Sequence, residues 1–235
     1  MTAANPDNQL AARKLIGALH KVGNTLMPVY QTAAEDHYLE ALDVARHLVA
    51  MNPSSQSALH DLVVSLDKVG DVFLSADREI AQNHYLESLR ITRQLAAANP
   101  ASQEAMRDLV VSLNKIGSLL TPVDRAAAEA NYLEAVETSR QLISYFPDDR
   151  VHLQLLGYTL QKLSSLIEDV KPKEAARLRE EIRVILCQLK DYFKSNKGPV
   201  GSTREIRSNR DRTTRRNYYQ HARKTTGNTS GSHTQ

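Results

Sequence analysis

The stretch that decides the fold runs from Asp108 to Pro147, DLVVSLNKIGSLLTPVDRAAAEANYLEAVETSRQLISYFP. Leu109, Leu113, Ile116 and Leu120 follow one another at steps of 4, 3 and 4, which places them on one face of a helix with 3.6 residues per turn. After a short break, Ala128, Tyr132, Ala135, Ser139 and Leu142 form a second stripe of the same period. Its small residues allow a close approach of two helices. The stretch therefore reads as two amphipathic helices joined by a tight turn.

Copies lie on both sides. Pro6, Pro53, Pro100 and Pro147 stand 47 residues apart, the first three preceded by Asn5, Asn52 and Asn99. Gly23, Gly70 and Gly117 keep this step, as do Lys21, Lys68, Lys115 and Lys162, and Tyr38, Tyr85 and Tyr132. Several unrelated residue types on one lattice indicate stacked units, each too small to bury its own apolar face. In the other units the first-helix stripe is Leu15, Leu19, Val22 and Leu26; Leu62, Leu66, Val69 and Phe73; and Leu156, Leu160, Leu163 and Ile167. Ser54–Ser55, Ser102 and Asp148–Asp149 stand where helix N-caps are needed. Each inter-unit proline pushes the residue before it away from the α region and so ends a helix. Thr121-Pro122 suggests a cap with proline at the first position of the second helix.

The glycine of KVG and KIG, the second-helix tyrosine with its flanking alanines, and the closing proline resemble the tetratricopeptide repeat, over about residues 6–194. The family's repeat has 34 residues; here each unit carries 13 more. About seven of these follow Ala135 and seven precede Leu113, with one lost in the turn. Both helices can then lengthen by about two turns at the same end of the stack. The resemblance implies an all-α, right-handed solenoid of four antiparallel hairpins, over units of roughly 7–53, 54–100, 101–147 and 148–194. It also implies that the first helices line a groove that binds partner proteins. Pro6 falls on the lattice, as though the chain opened at the end of a preceding unit.

The fourth unit is degenerate. Ser164 replaces the glycine, Arg179 the tyrosine, and Phe146 the asparagine before Pro147. Charged replacements suit a solvent-facing terminal hairpin. Cys187 stands where the other units have Arg46, Arg93 and Arg140, and as the only cysteine it supports neither a disulfide framework nor a cysteine metal site.

From Ser195 the composition changes. Residues 195–235 hold nine Lys/Arg against two acids, which leaves 21 basic and 25 acidic residues for 1–194. A mildly acidic repeat domain thus precedes a strongly basic tail with too few apolar residues to offset chain entropy, and the tail is expected to be disordered. Arg212, Arg215, Arg216, Arg223 and Lys224, interleaved with Tyr218 and Tyr219, could neutralise phosphates and stack on bases.

No phosphate loop, HExxH or GxSxG motif occurs. No catalysis, cofactor or metal is expected; His37 and His84, each before a repeat tyrosine, lie a repeat apart and suit hydrogen bonding instead. No apolar run approaches a membrane span and the first residues lack a signal-peptide profile, so a cytoplasmic protein without membrane contact is expected.

The lysine ladder carries the sharpest functional expectation. Lys21, Lys68, Lys115 and Lys162 precede the repeat glycine, or Ser164, by two residues, with Asn24, Asp71 and Ser118 directly after that glycine. Within the resembled family one group clamps a terminal carboxylate with lysine, asparagine and arginine on the first helices, although Val64 and Val111 interrupt that pattern here. The ladder either attracts a peptide or protein partner of acidic character, or pairs with acids such as Asp67, Glu40, Glu87 and Glu134 and merely solvates the surface. Arg46, Arg93 and Arg140 form another ladder, six residues after those glutamates, and suit contacts between units. The expected function is a non-catalytic protein-interaction scaffold. The alternative is binding of nucleic acid or an anionic surface by the tail.

Overall fold

The computed structural model of the protein describes residues 6–147 and 149–195. It contains eight α-helices among the described residues: α1 Pro6–Leu26, α2 Gln31–Met51, α3 Gln56–Phe73, α4 Arg78–Ala98, α5 Gln103–Leu120, α6 Arg125–Tyr145, α7 Arg150–Ile167 and α8 Pro172–Ser195. Successive helices from α1 to α7 pack on one another, and α1–α3, α3–α5 and α5–α7 also touch. This is an all-α array of four hairpins with the 47-residue period. Residues up to Leu189 make one compact unit; Lys190 begins another, of which only the end of α8 is described.

The caps follow local chemistry. Ser55 and Ser102 accept from Ala58 N and Ala105 N, at 3.3 and 3.2 Å, and so tie α3 and α5 at their first turns. Asp149 does the same for α7 through Val151 N; Asp148 lies outside the described residues. The expectation for Thr121-Pro122 fails. Thr121 ends α5, with its hydroxyl donating to Gly117 O, and α6 starts under Asp124, which accepts from Ala127 N. A carboxylate facing the free N–H groups is the stronger cap, and Asp77 caps α4 at the equivalent place.

Within a hairpin, glycine and tyrosine form the crossing point. A Cβ built on Gly23, Gly70 or Gly117 would lie within 3 Å of the ring of Tyr38, Tyr85 or Tyr132. Only a hydrogen there lets the two helices approach this closely. Each tyrosine hydroxyl then reaches the residue after its glycine: Asn24 at 2.9 Å, Asp71 at 2.6 Å, and Ser118 at 3.0 Å. The fourth hairpin has neither partner, and Arg179 turns to Glu168 at 2.7 Å.

The apolar stripes close into continuous cores, with Leu66, Val69, Leu113, Leu142 and Leu160 nearly inaccessible. In the first unit, Leu15 and Val22 are each 44% exposed although their equivalents Leu62, Val69, Leu109 and Ile116 are buried. Those later residues are covered by the preceding unit, and nothing described precedes α1.

Polar groups also join the units. Arg46, Arg93 and Arg140 pair with Glu87, Glu134 and Glu181 of the next unit at 3.0, 2.6 and 2.9 Å, which is the between-unit contact expected of that ladder. Arg78 and Arg125 donate to Leu119 O and Leu166 O, and Gln31 to Val72 O. These bonds satisfy carbonyls that the end of a first helix leaves without partners.

Candidate functional site

The lysine ladder separates into two kinds of residue. Lys68 donates to Asn24 at 2.8 Å and stands 6.0 Å over the ring of Tyr38. Lys115 pairs with Asp71 at 2.5 Å and stands 5.2 Å over Tyr85. Each therefore locks onto the glycine–tyrosine crossing of the unit before it, as a clamp between units. Of the acids expected to neutralise the ladder, Glu87 and Glu134 serve the arginines, while Asp67 feels the charge of Lys115 and Asp71 pairs with it directly. Lys162 makes no ion pair among the described residues and lies 5.4 Å over Tyr158 of its own helix. Lys21 is exposed, and no unit is described before its own.

Lys162 stands at the edge of an open cleft of about 530 Å³ formed by α3, α5 and α7 with the start of α4. Val111, Leu155 and Tyr158 supply apolar walls, while Asp71, Arg78, Asn114, Lys115, Ser118 and Lys162 supply polar ones. Of the groove residues expected from sequence, Asp71, Lys115, Ser118 and Lys162 meet here. Lys68 lines a smaller neighbouring cavity of about 240 Å³, with Asp67, Asp108 and Val64. Lys21 and Asn24 line neither. The valines that interrupt the carboxylate-clamp pattern thus furnish apolar wall.

Sequence reasoning missed a row of polar residues between the units. His20 bonds Ser65 at 3.1 Å; Asn114 donates to Thr159 at 2.8 Å and to Val110 O at 3.0 Å. Burial holds His20 down to about 4, so it stays neutral at physiological pH. His60 pairs with Asp108 at 2.5 Å, which raises the imidazole above its usual value. The lattice held this signal. Positions 20, 67, 114 and 161 are all polar, and 18, 65, 112 and 159 are Ala, Ser, Ser and Thr.

Asp67 is the unusual member of the row. It is only 9% exposed, its Oδ1 is shut from solvent, and that oxygen has no hydrogen-bond partner. Burial raises its carboxyl to about 6, against smaller opposing pulls from Lys115 and from a hydrogen bond with Ser88. Asn114 Oδ1, at the equivalent place one unit later, is likewise buried and unpartnered.

A further cleft, of about 660 Å³, lies between α7 and α8. Its cause is local. Gly157 stands where the other units have Ile16, Val63 and Val110, and no tyrosine occupies position 179. Its charged groups, Glu168 and Arg179, neutralise each other, and it offers mainly apolar surface of the kind on which a further unit stacks.

His37 and His84 sit separately on α2 and α4, and His37 Nδ1 is a buried atom without a partner. Among the described residues no group of three or more His, Cys, Asp or Glu could hold a metal ion, and no helix is long and apolar enough to cross a membrane. Arg212, Arg215, Arg216, Tyr218, Tyr219, Arg223 and Lys224 lie outside the described residues.

No protein-family model matches the chain, and no curated protein does. Among solved structures, a de novo designed helical repeat protein is similar at 15% identity and a TM-score of 0.45, covering 81% of this chain and all of its own. The subunit of a filament, DHF58, is similar at 15% identity and a TM-score of 0.46, covering 81% of this chain and 99% of its own.

Proposed function

We propose that the chain is a tetratricopeptide-like adaptor of the cytoplasm that binds a peptide segment of a partner protein across α3, α5 and α7, without catalysis. Lys162 carries the reading. It is a cation spared from the clamps between units, poised over an aromatic ring at the edge of a partly apolar cleft. The cleft is in the size range that takes a few side chains. Apolar side chains of the segment bury against Val111 and Leu155, and an acidic group of the segment pairs with Lys162.

A random dodecapeptide display library selected on the full chain tests this. Selected peptides are expected to carry an acid and to lose about tenfold or more in affinity when Lys162 is replaced by Ala, as when one side of a charge-assisted contact is removed. The Lys21→Ala variant is expected to bind them unchanged. Peptides indifferent to both Lys162→Ala and Val111→Asp would sink the reading.

A second reading rests on the tail's composition: binding of nucleic acid through Arg212, Arg215, Arg216, Tyr218, Tyr219, Arg223 and Lys224. Affinity for single-stranded DNA that falls steeply with salt and vanishes on deleting residues 196–235 would support it.

A further inference from the structure

The first helix keeps a stacking face that nothing described covers. Ala11, Leu15, Ala18, Val22 and Thr25 follow at steps of 4, 3, 4 and 3 along α1, and all five are exposed. Their equivalents on α3, Ala58, Leu62, Ser65, Val69 and Val72, are buried under the preceding unit. The complementary face lies on the fourth hairpin, around the cleft of about 660 Å³ between α7 and α8. Leu186 there is 50% exposed and Ile182 half-buried, while Ser139 and Ala135, at the same places of the third unit, are fully buried.

The period fixes which residues meet if α1 of one chain stacks on the fourth hairpin of another, since that contact continues the 47-residue step. Within the chain, Asp61 accepts from Arg13 at 2.5 Å, and Asp108 holds His60 at 2.5 Å. Across two chains, Lys14 stands in the place of these acids and Gln154 in the place of the bases. A base there, as in the inner units, would repel Lys14; the amide oxygen of Gln154 accepts from it instead. Lys68 and Lys115 reach back to Asn24 and Asp71, and the same step brings Lys21 to Ser165, one turn before Glu168. Both lysines of α1 thus meet acceptors, while its apolar stripe meets Ile182, Leu186 and the cleft. Two α1 faces laid together would set Lys14 and Lys21 against like charges.

We infer that the fourth hairpin binds α1 of a second copy of this chain, head to tail. Two departures make this contact weaker than those inside the chain. Arg183 stands where Val136 shares a core with Leu156, and Leu15 is the counterpart of Leu156. Leu15 therefore meets the stem of an arginine rather than a valine. Cys187 replaces the arginine that would pair with Glu40. The association is therefore reversible, and because its two faces differ it can add copy after copy instead of stopping at a symmetric pair. It requires neither the groove nor the tail.

Two blocked variants of the full chain test this, each checked for helicity by circular dichroism. Leu15→Glu spoils the α1 face and Leu186→Glu the receiving face; both residues are exposed, so the fold should persist. In sedimentation velocity between about 5 and about 500 µM, the range of a weak interface, the unchanged chain is expected to grow beyond a monomer as concentration rises. Each variant alone is expected to stay monomeric. An equal mixture is expected to form a dimer and nothing larger, since one intact face of each kind remains. Arg183→Leu is expected to tighten self-association about tenfold, the worth of one buried aliphatic contact, and the gain should disappear when Leu15→Glu is added. An unchanged chain that stays monomeric throughout would overturn the inference and leave the α1 face to a different protein. Self-association that survives in Leu186→Glu alone would overturn it as well, because α1 would then be pairing with α1. So would a mixture that stays monomeric.

Discussion

Replacing Asp67 with Asn should stabilise the array at neutral pH, and the gain should shrink in acid. The carboxyl titrates near 3.8 in an unfolded chain and at about 6 in the fold, a rise of about two units caused chiefly by burial. One unit corresponds to about 1.4 kcal/mol between protonation states. At pH 7 the group is ionised in both states, and holding the charge in the fold costs about 3 kcal/mol relative to a site that needs no ionisation. A raised folded value means that the folded state binds the proton more tightly. Stability is therefore gained as pH falls from above 6 toward 3.8 and is lost as it rises. The groups that face Asp67 set this balance: Lys115 and Asp108 from α5, Ser88 from α4, and Asp71 from its own helix.

Asparagine keeps the shape and a hydrogen-bonding oxygen without the charge, and Asn114 already fills the equivalent place in the third unit. Urea unfolding at pH 7 is expected to show Asp67→Asn more stable by about 1–3 kcal/mol, with the difference falling to about half by pH 5. A variant less stable than the parent at pH 7, or a difference that does not change with pH, would refute the account. Either result would mean that Ser88 and Lys115 offset the burial of the carboxylate in full.

Gly117→Ala should destabilise the protein by about 1–3 kcal/mol, the usual penalty for overpacking, because the added methyl would lie 2.7 Å from the Tyr132 ring. Gly17→Ala meets nothing within 4 Å and should stabilise by up to about 1 kcal/mol through helix propensity; thermal unfolding of the two variants side by side checks both. A double-mutant cycle on Arg93 and Glu134, half-exposed and paired at 2.6 Å, should return only about 0.2–1 kcal/mol and weaken with salt. His60, raised above its usual value by Asp108, contributes stability that is complete below about 6.5 and is lost as pH rises through its folded value. The His60→Gln variant should therefore lose the part of the pH dependence that lies above that point, as read from unfolding at pH 6 and 8.

The lattice made most of the fold legible because packing repeats with it. The glycine–tyrosine crossing, the buried stripes of α3, α5 and α7, and the arginine–glutamate ladder all follow from residues 47 apart. The turn was misread because Thr121-Pro122 matches a helix start locally, while Asp124, two residues on, offers a charged acceptor that only the folded turn brings to the α6 amides. The lysines were legible only in part, since pairing with a nearby acid holds for Lys115 and Asp71. Their spacing announces a ladder, but it does not say that each reaches back to a crossing formed by the preceding unit. That contact lies 44 residues away for both Lys68 with Asn24 and Lys115 with Asp71.

The same logic separates architecture from recognition along the first helices. Where a lattice position repeats in kind and in contact, as with Lys68 and Lys115, its chemistry is consumed in holding units together. Recognition has to come from positions where the lattice holds but the contact does not. Lys162 keeps the ladder's residue, lacks the ion pair and lines the open cleft of α3, α5 and α7. Asp67 is a departure of another kind: its Oδ1 is shut from solvent, so its charge bears on stability and not on a ligand. Asp67→Asn should therefore change unfolding and leave the affinity of an acidic peptide unaltered, and Lys162→Ala should do the reverse.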